Sequence, residues 1–218
     1  MIKGIIFDFG NVICTFSNWT FLERLASYCR YDANELNGMI YEESDIKERY
    51  EKGLITSDEF FAHIIDLTGA TIGKDDFIRI YTDIFSPIPE TIDLIKALRP
   101  RYKLGLLSNT SEWDFLYGIK PVEVFEMFDG VTVSYQLKAF KPDAKLYLDI
   151  VRKLDLSTEE CVYIDDIKEY AHAAEELGLS GIHYIGHEEL IRGLGRIGVD
   201  VNPDKSGNYN GYNSDKVE

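Results

Sequence analysis

The chain has 218 residues, 45% of them hydrophobic and 13% aromatic, which excludes a disordered or fibrous chain and suits one α/β core with a small accessory domain. A formal charge of −15, from Lys+Arg 23 against Asp+Glu 38, repels nucleic acid and anionic membrane, so neither is expected as a partner. No apolar run approaches the roughly 18–20 residues that span a bilayer, and the start, with Lys3 and Asp8 in its apolar stretch, is unlike a signal peptide, so a cytoplasmic protein is expected.

In chain order, Ile2–Phe7 is an apolar run that delivers Asp8 to its end, with Gly10 and Asn11 just after. A buried strand that presents an acid at its C-terminal end is where open α/β sheets carry their sites. From about Ser17 to Phe85 no strand is predicted, only amphipathic helices. Trp19, Leu22, Leu25, Ala26 and Cys29 mark the first, and Asp32 with Glu35 opens the second as a capping box. Ile46–Lys52 stops at Gly53, Thr56 with Glu59 opens another, and a fifth runs from about Lys74 to Ile84. The aromatic residues of this region, Trp19, Phe21, Tyr28, Tyr31, Tyr41 and Tyr50, are read mainly as packing groups.

Beyond it the rhythm alternates. Lys103–Leu107, Val131–Val133, Cys161–Ile164 and Gly181–Ile185 read as strands. Helices are predicted from Pro89 through Leu98, over Ala144–Leu154, and over Glu169–Leu177 with Gly178 as its stop. Alternation of this kind implies a doubly wound, mostly parallel sheet. The expected division is a Rossmann-like core of residues 1–15 and 87–200, an all-helical cap of residues 16–86 above the first strand, and a disordered tail over 202–218. Cys14, Cys29 and Cys161 lack any ligand spacing and are read as reduced thiols. His63, His172, His183 and His187 form no zinc motif.

Clusters able to carry chemistry fall at the ends of four predicted strands: Asp8-Phe9-Gly10-Asn11-Val12, Leu107-Ser108-Asn109-Thr110, Lys141-Pro142-Asp143 and Ile164-Asp165-Asp166. Each alone is weak, since an Asp at a strand end is often a helix cap. Together and in this order they resemble the motifs of the haloacid-dehalogenase-like superfamily, over residues 1 to about 187. The stretch Tyr50 to Phe60 (YEKGLITSDEF) resembles a cap segment of its sugar-phosphatase and epoxide-hydrolase-like branches.

The resemblance implies a phosphatase acting on a small phosphorylated metabolite, sugar phosphates included, as a monomer or homodimer. It makes Asp8 the nucleophile that forms an aspartyl-phosphate, with Lys141 neutralising charge beside it. Ser108, Asn109 and Asn11 would bind substrate. Mg²⁺ would be held by Asp8, the Gly10 carbonyl and Asp166, with Asp165 among the metal residues through water or indirect contacts. Gly10 departs from the pattern, because the family commonly has a second Asp there as general acid and base. Some family phosphatases of sugar 1-phosphates share the Asp-x-Gly-Asn-Val form. Glu43, Asp45 and Glu48 are candidates for a substitute acid, and Lys138 for a second phosphate contact. Tyr170 stands where Asn or Asp is common after the acidic pair. Two alternatives stay open: a metal-independent 2-haloacid dehalogenase, which would not need the Asp165-Asp166 pair, and a catalytically weak protein that binds phosphorylated ligands.

Overall fold

The computed structural model describes residues 1–201, so the expected tail over 202–218 lies outside the described residues. Strands β1 (Gly4–Phe7), β4 (Lys103–Ser108), β5 (Gly130–Val133), β6 (Cys161–Asp165) and β7 (Ser180–His183) form a parallel sheet in the order β5-β4-β1-β6-β7. The expected parallel, doubly wound sheet is therefore present, with β1 at its centre. Phe7 pairs with Leu106 on one side and Ile164 on the other. That register sets Asp8 and Asp165, each one residue further on, side by side at the same end of the sheet.

Side chains alternate across a strand, and the two faces of the sheet bury different clusters. Ile5, Phe7, Leu104, Leu106, Val162 and Ile164 pack toward α6 (Pro89–Leu98) and α10 (His187–Arg196), whose inward residues include Ile95, Leu190 and Leu194. Ile6, Leu107 and Tyr163 pack on the other face with Tyr147 and Ile150 of α8 (Ala144–Lys153) and Ala174 of α9 (Lys168–Glu176). A single turn of helix, α7 (Ser134–Leu137), follows β5. Asp8 and Asp165 share the pleat phase of Ile6 and Tyr163, so they emerge on the α8 side.

Between β1 and β4 lies the helical region: α1 (Asn18–Ala26), α2 (Ala33–Asn37), a π-helical turn (Gly38–Glu42), α3 (Ile46–Glu51), α4 (Ser57–Thr68) and α5 (Lys74–Thr82). Both expected capping boxes are formed, Asp32 with Glu35 and Thr56 with Glu59. These helices bury their own cluster, including Phe21, Leu25, Tyr50, Phe60 and Phe77, into which the core inserts Trp113. Tyr50 stacks on Phe60 with ring centroids 4.4 Å apart.

One pairing has no local signature in the sequence. Short strands β2 (Cys14–Phe16) and β3 (Phe85–Pro87) pair antiparallel at the two crossings between the sheet domain and the helices. Three residues are too few to show a period, and the pairing partner is about seventy positions away. None of the helices among the described residues is long and apolar enough to cross a membrane. Cys14 and Cys161 are buried free thiols and Cys29 is half-buried.

Candidate active site

Asp8, Ser108, Asn109, Lys141 and Asp166 line one cavity at the C-terminal end of the sheet, with Gly10, Asn11 and Tyr170. About 250 Å³ of it is open space, roofed by Asn18, Lys47 and Glu51 from the helical region. The expected residues are thus brought together from four separate loops by the parallel register of three strands.

Lys141 organises the floor. Its ammonium donates 2.7 Å hydrogen bonds to Asp8 Oδ1 and to Asp165 Oδ2, and its side chain is 2% exposed. Asp165 is fully engaged: Oδ1 accepts from the Ile167 N–H at 2.8 Å, and Oδ2 also accepts from the Tyr163 hydroxyl. Tyr163 was not singled out from the sequence, although its place two residues before Asp165 on one strand puts both on the same face. Burial holds its hydroxyl well above the ordinary range, so it stays a donor. Rings of Tyr170 and Tyr163 flank the Lys141 ammonium at 5.1 and 5.7 Å, a cation–π environment that keeps water from it.

Asn11 has φ 55, a left-handed conformation that Asn tolerates better than most residues. This turns the chain just past Asp8 and lets Asn11 Nδ2 donate to Asp166 Oδ2 at 2.9 Å. Asn109 Oδ1 accepts from the Lys141 backbone N–H at 3.0 Å, tying the second cluster to the third. One carboxylate oxygen from each of Asp8, Asp165 and Asp166 lies within 4.8 Å of the others. Burial pushes the Asp8 carboxyl up to about 7; Lys141 pulls it down and Asp165 pushes it further up. In Lys141 burial disfavours the charge, but Asp8 and Asp165 outweigh it and the net direction is upward. Three carboxylates around one ammonium are under-neutralised, and a hard divalent cation fits such an all-oxygen set.

Position 10 carries no acid, and a side chain there would displace a neighbouring ring. A Cβ placed on Gly10 would meet the Phe16 ring at 2.9 Å, so a larger residue there requires that half-exposed ring to shift. The proposed substitutes do not reach the cavity either. Glu43, Asp45 and Glu48 are exposed and face solvent, because α3 buries Ile46 and Tyr50 and turns positions 47 and 51 inward. Lys138 is exposed, in a left-handed conformation after α7, and is not among the cavity residues.

A second polar group, missed from the sequence, closes the far wall. Lys47 pairs with Glu51 one turn on, and Asp114, from the segment after β4, lines the same cavity. Asp114 Oδ2 accepts from Ser111 Oγ at 2.8 Å, and the buried Tyr81 hydroxyl stands beside the same carboxyl. Burial pushes Asp114 up to about 7, with Lys47 opposing and Glu51 adding to the rise. An acid raised in the folded state binds its proton there more tightly than when unfolded, so folding stability falls as pH climbs from about 4 to about 7. D114N removes this term. The stability of D114N minus that of wild type is expected to grow with pH across that window, by about 4 kcal/mol at most. Urea unfolding at pH 4.5, 6 and 8 checks it, and a pH-independent difference would refute it.

The sequence profile of the haloacid dehalogenase-like hydrolases matches residues 2–178. The chain belongs to that family. This hydrolase is 26% identical over 185 residues to a D-ribitol-5-phosphate phosphatase of Bacteroides thetaiotaomicron, covering 82% of this chain and 89% of that one. It is 25% identical over 185 residues to a sesquiterpene phosphatase of Aspergillus oryzae, covering 83% and 89%. Among solved structures, a family enzyme of Bacteroides thetaiotaomicron in complex with magnesium and inorganic phosphate superposes with a TM-score of 0.71 at 24% identity, over 83% of this chain and 92% of that one. An L-2-haloacid dehalogenase shares the fold at a TM-score of 0.60 and 20% identity, over 82% of each chain.

Proposed function

We propose that this hydrolase is a Mg²⁺-dependent phosphatase of a small phosphorylated metabolite, a sugar or polyol phosphate among the candidates, and that Asp8 takes up the phosphoryl group. The observation that carries this is the clustered Asp8–Asp165–Asp166 trio, two of whose carboxylates share the Lys141 ammonium. A metal-free dehalogenase has no need of so much uncompensated negative charge, whereas phosphoryl transfer uses a cation there. The magnesium and phosphate bound by the structural neighbour, and the phosphatase activities named for the two sequence relatives, support the same reading. Residues 16–86 act as the cap in this reading.

Lys141 occupies Asp8 Oδ1, which leaves Oδ2, on the Gly10 side, to attack phosphorus. The bond from phosphorus to the leaving oxygen breaks, and its electron pair departs with that oxygen. Water then attacks phosphorus, the bond to Asp8 breaks, and inorganic phosphate leaves with the carboxylate restored. The Ser108 hydroxyl and the Asn109 backbone N–H bind phosphate oxygens, since the Asn109 side-chain oxygen is already committed to Lys141. Asp8, the Gly10 carbonyl and Asp166 are the residues that would hold Mg²⁺, which supplies charge neutralisation at the phosphoryl oxygens. Asn11 positions Asp166, and Asp165 positions Lys141. With Gly10 offering no acid, the leaving oxygen draws its proton from water, which favours esters of weakly basic leaving groups.

The test is hydrolysis of acetyl phosphate and a panel of sugar and polyol phosphates with Mg²⁺ and with EDTA. Turnover in Mg²⁺ that EDTA abolishes is expected. Mg²⁺ at about 100 times its dissociation constant should also add about 2.7 kcal/mol of stability, a gain that D166N removes. Metal-independent turnover of 2-chloropropionate would establish the dehalogenase instead, and binding of phosphorylated ligands without turnover would establish the non-catalytic reading.

A further inference from the structure

We infer that Lys47, Glu51 and Asp114 form a leaving-group subsite that accepts a neutral, hydroxyl-bearing group and rejects one carrying a second anionic charge. The inference rests on the phosphatase reading and deepens it. All three residues line the cavity that holds Asp8, and they reach it from two sides, Lys47 and Glu51 from α3 and Asp114 from the core. Asp114 is more than nine-tenths buried, held by Ser111 Oγ with the Tyr81 hydroxyl beside it, so it acts on the cavity through its charge.

Charge decides which ligands fit. Lys47 alone on the wall of this cavity would attract a carboxylate or a second phosphate. Here it is ion-paired with Glu51, and Asp114 stands close enough for the two to perturb each other. One cation with two carboxyl groups has no positive charge left over, so an anionic leaving group would be buried against it unpaired. Neutral hydroxyls meet both donors and acceptors in this cavity: the Lys47 ammonium, the Glu51 carboxyl and the Asn18 amide. The facing wall, Phe16 and Phe85, is apolar and suits the C–H face of a carbon skeleton.

The experiment compares kcat/KM in Mg²⁺ for a neutral hexose monophosphate and for 3-phosphoglycerate, which carries a carboxylate. Wild type should prefer the hexose ester. At pH 8, above the value of about 7 given for Asp114, E51Q and D114N each remove a negative charge and should shift the ratio toward phosphoglycerate by tenfold or more. K47M should shift it the opposite way. Opposite shifts from nearly isosteric changes are a signature that mere loss of packing does not produce, and circular dichroism checks that each variant is folded. A ratio that none of the variants moves, or that all move alike, would overturn the subsite, as would a wild-type preference for phosphoglycerate. No hydrolysis of either ester or of acetyl phosphate by wild type would overturn the phosphatase reading itself, and the subsite with it.

Discussion

D8N is expected to lose turnover by about 10⁴-fold or more on every phosphate ester the wild type hydrolyses, while folding at least as stably. The two halves have one cause. Burial among acids pushes the Asp8 carboxyl up to about 7, so near neutral pH the fold bears the cost of an ionised group it holds poorly. An amide of the same shape removes that cost and still offers Oδ1 to the Lys141 ammonium, 2.7 Å from it in the native site. It cannot attack phosphorus usefully. Single-turnover assays with acetyl phosphate, paired with urea unfolding at pH 8, test both statements. Substantial activity in D8N would remove Asp8 from the reaction, and a large loss of stability would show that the carboxylate is structural.

The second large effect is on Lys141. K141M should destabilise the fold by about 3–5 kcal/mol, because it leaves two buried carboxylates without their cation. Both partners are nearly sealed, with side-chain exposures of 9% for Asp8 and 0% for Asp165. The loss should be smaller at pH 5 than at pH 8, since Asp8 can then take up a proton and shed its charge. K141M/D165N should recover part of the stability and none of the activity, which separates charge balance from phosphoryl transfer. Equal stability of K141M and wild type at pH 8 would show that the ion pair is compensated from elsewhere.

These contacts explain what could be read along the chain. The strand-end acids, the Ser-Asn and Lys-Pro clusters and the alternation of strands with helices are local signals, each carried within a few residues. Hydrophobic period and chain order therefore determined the parallel sheet, the helical region after β1 and the residues Asp8, Ser108, Asn109, Lys141 and Asp166 at one end of it. Both capping boxes were legible for the same reason, since a cap is satisfied within four positions.

Only the tertiary structure decided how the helical region sits on that end. Its seams join residues far apart in sequence: Tyr50 accepts from the Trp113 N–H at 3.1 Å, and Ser134 Oγ donates to the Glu51 carbonyl at 2.6 Å. Gly53 lies so close to the Tyr135 carbonyl that an added Cβ would come within 2.0 Å of its oxygen, and its φ of +62 favours glycine besides. That docking turns Lys47 and Glu51 of a short helix toward Asp8 and Glu48 toward solvent, a rotation that six residues of sequence pattern cannot specify. It also seats the Phe16 ring against Gly10, a contact between neighbours that the one glycine in the sequence does not announce. Local periodicity determines which elements form and which residues stand at their ends. Burial, orientation and charge balance depend on what packs against them, and those partners are set by the whole fold.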